Sequence, residues 1–457
     1  MRIKKSIAVF LLIGSVFTSA AQQTINCEAV FAAYELNVKK LKYDDALAGL
    51  DELLKDCGRV DEKVYIYGDK VLNYKIEASR TDEQRKEYID RLYNLYASYD
   101  KNFPGNKNAN DVKKAFLSGK YKLASEDEVY TMYDAAFKNN RQNFTNPEAL
   151  EAYFNLFLKR QEEGKKAMPQ ADFIAKNVAI SAQVAYALNK FSDERNGLLV
   201  KQKSAMLTDD EKMILIENEK KEKVLSAIAK NINAQSSKYI SCADLEGYYT
   251  EKFEANKSNA DWVESLVNVM LDQKCYKSAV LQKAATVLYE LKPNGRSAMY
   301  AAVVAQRNNK LTDAVKYYDV AAQFEQTPEG KADMFMKIAS IYRNMDKAQA
   351  KTYAVKSAQA NPKSGKPYVF LGEMYSSVTK ECDLSDFERK ALYWLAIETV
   401  KKAEKAEPKY KSTVAAIIGG YNEYVPAKSE AKAAKIKKGD LITYGCWINE
   451  TLTVPSL

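Results

Sequence analysis

The chain has 457 residues, 46% of them hydrophobic, with 17 glycines and 10 prolines; the length allows two to three domains or one long solenoid, and the composition excludes a disordered or collagen-like chain. Sixty-nine basic and 60 acidic side chains leave a formal charge of +9 without a massed cluster, which argues against a nucleic-acid binder, whose basic residues interleave with aromatics. There is no histidine, so Ser-His-Asp and Cys-His systems, H-E-x-x-H zinc sites and the usual general base near neutral pH are excluded.

Residues 1–21 read as a targeting segment. Arg2, Lys4 and Lys5 precede the apolar run Ile7–Phe17, and small residues continue to Ala21, the pattern of a secretory signal cut before Ala21 or Gln22. The apolar run is too short to stay in a bilayer as a span. No later segment reaches that length. The expectation is a periplasmic or secreted mature chain with no transmembrane segment. Removing three basic and no acidic residues lowers the formal charge from +9 to +6.

Residues 22–104 read as helical hairpins. Glu28–Lys40 and Tyr43–Lys55 form the first, about a turn at Leu41-Lys42-Tyr43; Val60–Ala78 opens the second, with Leu92, Tyr96 and Tyr99 in its return helix before Pro104. Residues 105–240 still read as helices, over Ser125–Asn139, Pro147–Glu162, Pro169–Asn189 and Asp209–Asn233. The last has a polar middle, Glu217–Lys223, suited to bridging two halves of a solenoid. Gly164–Pro169 and Phe191–Gly197 are expected to be flexible joints. From Cys242 the hairpins resume through 434, and Lys411–Tyr421 is expected to cap them. The tail, 435–457, is β-prone at Leu441–Tyr444, Cys446–Ile448 and Thr451–Val454, with a turn at Gly439-Asp440. It predicts a short hairpin folded back on the last repeats.

Within 241–434 the prolines Pro293, Pro328, Pro362 and Pro408 stand 35, 34 and 46 residues apart. In the last interval Tyr368, Leu371, Gly372 and Tyr375 are followed by Ala396, Val400, Ala403 and Pro408. Small residues Ala302, Ala321, Ala339 and Ala403 suit helix crossings, and Tyr318, Tyr342 and Tyr375 fill the space between hairpins. The chain therefore resembles tetratricopeptide-repeat proteins, whose units carry W-x2-L-G-x2-Y, then A-x3-F, then P. The resemblance implies an all-α fold, a solenoid of helical hairpins, here with a short C-terminal β-hairpin; the hairpins of 22–104 look like degenerate units. The last unit carries about twelve extra residues against the family period of 34, around Val378–Phe387.

Six cysteines in an exported chain suggest disulfides, for which fifteen connectivities exist. Hairpin geometry narrows them. Cys27 and Cys57 lie symmetrically about the turn at Leu41-Lys42-Tyr43, and Cys242 and Cys275 about Asn256–Asn259, so each pair meets at the open end of one hairpin. Cys382 and Cys446 remain, tying the insertion to the tail. Free thiols are the competing reading. A metal is not expected, since no C-x2-C spacing exists, and no cofactor motif such as G-x-G-x-x-G is present.

The resemblance implies binding of a protein partner, not catalysis, in the groove lined by the first helices of the repeats. Carried over to this chain, the groove positions are Arg296, Met299, Val303 and Gln306 in one unit. In the next they are Asp333, Met336, Ser340 and Arg343, and in the last Lys366, Val369, Glu373 and Ser376. The Lys and Asn clamp that some relatives use for a peptide carboxylate is absent, with Val369 and Glu373 in its place. The acidic pairs Asp44-Asp45 and Asp209-Asp210 stand at helix starts, where carboxylates complement the helix dipole. The expectation is a scaffold within an envelope assembly. The alternative is a glycan- or peptidoglycan-associated protein with a carboxylate-based activity and an aromatic cleft of Tyr393, Trp394 and Trp447.

Overall fold

The computed structural model describes residues 26–104, 109–164 and 168–456. The expected signal segment, residues 1–21, lies outside them. Two compact units are present, divided between Asn143 and Phe144.

The first unit is three antiparallel hairpins: α1 (Cys27–Lys39) with α2 (Tyr43–Asp56), α3 (Lys63–Ala78) with α4 (Asp82–Asn102), and α5 (Asn110–Lys120) with α6 (Glu126–Asn139). The sequence starts these helices locally. Asn26, Thr81 and Ser125 accept hydrogen bonds from amides of the first turns of α1, α4 and α6, satisfying donors that a helix start leaves unpaired. Tyrosines then fasten helices within and between hairpins. Tyr65 stacks on Tyr99 at 4.6 Å, and the buried Tyr34 hydroxyl donates to Val64 O at 3.2 Å.

The second unit opens with α7 (Pro147–Glu162) and two long antiparallel helices, α8 (Gln170–Gln202) and α9 (Asp209–Ser236). One expectation is corrected here. Phe191–Gly197 is no joint: it lies inside α8, which runs on past Asn189. No proline interrupts it, and the lone Gly197 costs a helix only about 1 kcal/mol. Ion pairing to α9 supports the extension, with Arg195–Glu222 at 2.6 Å and Asn218 donating to Glu194 at 2.8 Å. Within the polar middle of α9, Asn218 and Glu222 turn toward α8, while Glu217, Glu219, Lys220 and Lys223 are exposed. Of the other expected joint, residues 165–167 lie outside the described residues, while Gly164 takes φ +72° just after α7.

Hairpins follow in series: α10 (Cys242–Asn256), α11 (Ala260–Asp272) and α12 (Ala279–Leu291); α13 (Gly295–Arg307) with α14 (Leu311–Phe324); α15 (Pro328–Tyr342) with α16 (Lys347–Ala360); and α17 (Lys366–Ser376) with α18 (Asp386–Ala406). Each helix packs on the next and on the next hairpin, which is tetratricopeptide-like stacking. The small residues sit as expected. Ala302, Ala339 and Ala403 are fully buried, Ala321 nearly so, and Tyr318 and Tyr375 are buried between hairpins. The stack ends with α19 (Lys411–Tyr421), whose Val414 covers Val400 and Ala403, and α20 (Lys428–Ala433).

The tail forms the expected hairpin, β1 (Leu441–Tyr444) antiparallel to β2 (Glu450–Thr453), with Ile442 opposite Leu452. Ile442, Tyr444, Ile448, Leu452 and Val454 join the core of α15–α18. Three disulfides are present, Cys27–Cys57, Cys242–Cys275 and Cys382–Cys446, with Cα separations of 5.5, 5.4 and 5.6 Å.

Candidate functional site

The first helices α13, α15 and α17 present one face of the repeat stack, and the twelve carried-over positions divide on it into three groups. Met336 is buried in the core and Val303 packs into a neighbouring cluster. Val369 is half-buried beside Val400. Gln306 accepts from the Tyr318 hydroxyl at 2.8 Å, a phenol whose pKa burial pushes up to about 12.

The charged members of a second group pair across neighbouring first helices. Lys366 reaches Asp333 at 3.3 Å, with both side chains more than half exposed. Arg343 meets Glu373 at 3.1 Å and lies over the Phe370 ring. Ser340 is exposed, and Ser376 bonds the Tyr421 hydroxyl at 3.0 Å. Exposed pairs of this kind are worth about 0–1 kcal/mol, so their charges can exchange partners at little cost.

Arg296 and Met299 form the third group, and here the face is already occupied. The distal part of α8 runs along the N-terminal ends of α11, α13 and α15. Asn189 donates to Glu264 at 2.9 Å, the Arg296 guanidinium meets Asp193 at 2.6 Å, and Lys203 donates to Gln326 at 2.7 Å. From Asn189 to Lys203 a helix rises about 21 Å, enough to pass two repeats. Lys292 extends the charge cluster with Asp261 at 2.6 Å and Glu264 at 3.1 Å. Burial alone would lower its ammonium pKa; those two carboxylates outweigh it and hold the value above normal. Two clefts remain beneath the helix. One of about 320 Å³ includes Asn189, Glu264 and Arg296; another of about 570 Å³ is lined by Val200, Met299, Phe324 and Met334 among others.

Sequence reasoning missed α8 as a groove component because it ended that helix at Asn189. A signal was there: Phe191–Val200 carries no proline, and its charges Glu194 and Arg195 find partners on α9.

The rings proposed for an aromatic cleft have different ring partners. Trp394 is buried against Phe387, Trp447 stacks on Tyr375 at 5.9 Å, and Tyr393 packs between Tyr421 and Tyr424. The acidic pairs Asp44-Asp45 and Asp209-Asp210 lie in the first turns of α2 and α9. Among the described residues no helix is long and apolar enough to cross a membrane, and no group of three metal-ligating side chains occurs.

No protein-family model matches the chain, and no curated protein matches it. Among solved structures, a chain of the APC/C hetero-tetramer Cut9–Hcn1 is 10% identical over 87% of this chain and 96% of its own, with a TM-score of 0.28. Yeast Tom70 is 11% identical, covering 90% and 99%, with a TM-score of 0.24. A chain of Naa15/Naa10 bound to HypK-THB is 12% identical, covering 87% and 66%, at 0.22. Likenesses this loose carry no weight for fold or function; the tetratricopeptide-like description rests on the helix packing.

Proposed function

We propose that this chain is a non-catalytic scaffold of the cell envelope, periplasmic or secreted, that holds a protein partner on the first-helix face of its C-terminal repeats. The observation that carries the reading is the exposed, complementary set Asp333–Lys366 and Arg343–Glu373 beyond the end of α8. Such pairs add little to stability and can re-pair with a partner's charges, which favours fast and specific association. With Val369 and Glu373 where a carboxylate clamp would stand, recognition goes through a partner's side chains or helix face and not its C-terminus. Three disulfides suit an oxidising compartment, in keeping with the leader-like residues 1–21. The lack of histidine removes the commonest general base.

Crosslinking with mass spectrometry in the native host envelope tests this. Reproducible links from Lys366 and its neighbours to one envelope protein are expected, weakened by Arg343→Glu. Links confined to this chain, together with retention on insoluble cell-wall glycan that is lost in Trp447→Ala, would replace the scaffold by the glycan-associated alternative.

A further inference from the structure

The two ends of α8 are held in different ways. Its first part is packed by apolar residues, with Phe173, Ile180, Val184 and Ala187 among the buried positions. After Ala187 only Phe191 is buried in the rest of the helix. The beginning of α9, which pairs with that distal part, likewise buries only Asn218 before Leu225. The distal part of α8 meets the repeats through the polar contacts Asn189–Glu264, Asp193–Arg296 and Lys203–Gln326. Asp193 is 66% exposed at its side chain while Arg296 is 19% exposed. The clefts of about 320 and 570 Å³ under this segment are many times the roughly 30 Å³ that one water takes in the liquid. A segment joined by partly exposed polar contacts over open clefts, with few buried apolar residues of its own, opens locally at lower cost than one packed like Phe173–Ala187.

We propose that the segment from Asn189 to Lys203, the distal part of α8 with its C-cap, is a detachable ligand of the chain's own repeat groove, occupying the place where a partner helix docks. This deepens the scaffold reading above and rests on it for the identity of the external partner. The helix seen in place gives the chemistry of that partner. Asp193 sets a carboxylate against Arg296, and Val200, seven residues on and so on the same helical face, lies over the cleft with Met299, Phe324 and Met334. The partner is therefore an amphipathic helix carrying an acidic side chain and, two turns later, an aliphatic one. Release of the distal part of α8 uncovers Arg296 and these apolar side chains and lengthens the open face that begins at Asp333. The distal part of α8 and the beginning of α9 leave together, because Arg195–Glu222 and Asn218–Glu194 tie them to each other.

Hydrogen exchange on the full chain, read by mass spectrometry, tests detachment without any partner. Peptides covering 189–203 are expected to exchange at least about tenfold faster than those covering 173–187, and faster still when salt rises from about 0.05 to about 0.5 M. Asp193→Lys accelerates them further, and Lys203→Glu serves as an independent second variant. A fluorescent synthetic peptide copying residues 188–204 then binds Asp193→Lys protein about tenfold or more tightly than wild type, because the groove is vacated. Equal protection of 189–203 and 173–187 at both salt concentrations, unchanged by either variant, overturns the proposal. So does a variant with fast exchange at 189–203 that binds the peptide no better than wild type. An envelope crosslinking experiment that finds no partner would remove the scaffold reading and leave the exchange result standing.

Discussion

Gly372 lies where α17 crosses α18, and a Cβ there would come 2.4 Å from Val400 Cγ1 and 3.2 Å from Ala396 O. The second contact is to backbone, so rotation of a side chain cannot relieve it. Gly372→Ala gains about 1 kcal/mol in helix propensity but overpacks the crossing at a cost of about 1–3 kcal/mol. The net expectation is a loss of stability in chemical denaturation, partly recovered in Gly372→Ala/Val400→Ala. A midpoint equal to wild type would mean that the two helices are farther apart. The glycine was legible beforehand, because it stands in the Tyr368–Leu371–Gly372–Tyr375 motif. Gly365, whose Cβ would come 2.6 Å from the Tyr410 ring, was not, because it lies between motifs and its neighbour comes from 45 residues away.

At the scale of elements, the insertion between α17 and α18 is held by Val378 in the core and Leu384 packed against it, by the Cys382–Cys446 bridge and by an ion pair from Lys347 of α16 to Glu381. Partial burial would raise the Glu381 carboxyl, but Lys347, its own amide and the amide and hydroxyl of Thr379 outweigh that and bring it from 4.5 down to about 2. A carboxyl depressed on folding contributes stability that is present above its unfolded value and lost as pH falls through the folded one. The contribution is therefore whole above 4.5 and disappears on descent to about 2. Thermal melts should show wild type more stable than Glu381→Gln at neutral pH, with the gap closing across that acid window. A gap that persists at pH 2 would assign the effect to packing. The tail shows how an element is fixed from outside. Lys351 reaches Asn449 O at 3.2 Å and Glu450 at 2.6 Å, and the Tyr444 hydroxyl donates to Glu388 O at 3.1 Å. A two-stranded hairpin alone is marginal in water; this one exists because α15–α18 cover its inner face.

Across the whole molecule, disulfides reinforce hairpins whose interfaces are short. Cys27–Cys57 closes 30 residues and Cys242–Cys275 closes 33, each worth about 3–4 kcal/mol through the unfolded chain's lost entropy. Replacing Cys27 and Cys57 together by serine should lower the stability of the first unit by about that amount, read by urea denaturation of the full chain. A loss under about 1 kcal/mol would mean that the reduced hairpin is restrained by other contacts. The same interfaces explain the reach of sequence reading here. Hairpin ends, caps and cysteine pairing follow from local spacing. The cover over Arg296 depends on where a helix more than 90 residues earlier comes to lie.

Sequence by itself determined the all-α character, the stacked hairpins from Cys242 onward, the symmetric placing of Cys27 with Cys57 and of Cys242 with Cys275, and the β-prone tail, because each is written in periods of a few residues or in the fixed length of one hairpin. Only the tertiary structure decided that α8 continues to Gln202, that its distal part covers the groove at Arg296 and Met299, that Met336 turns into the core, and that Tyr393, Trp394 and Trp447 have separate neighbours. Those facts depend on long-range packing and on ion pairs between residues such as Asp193 and Arg296, which no periodicity records.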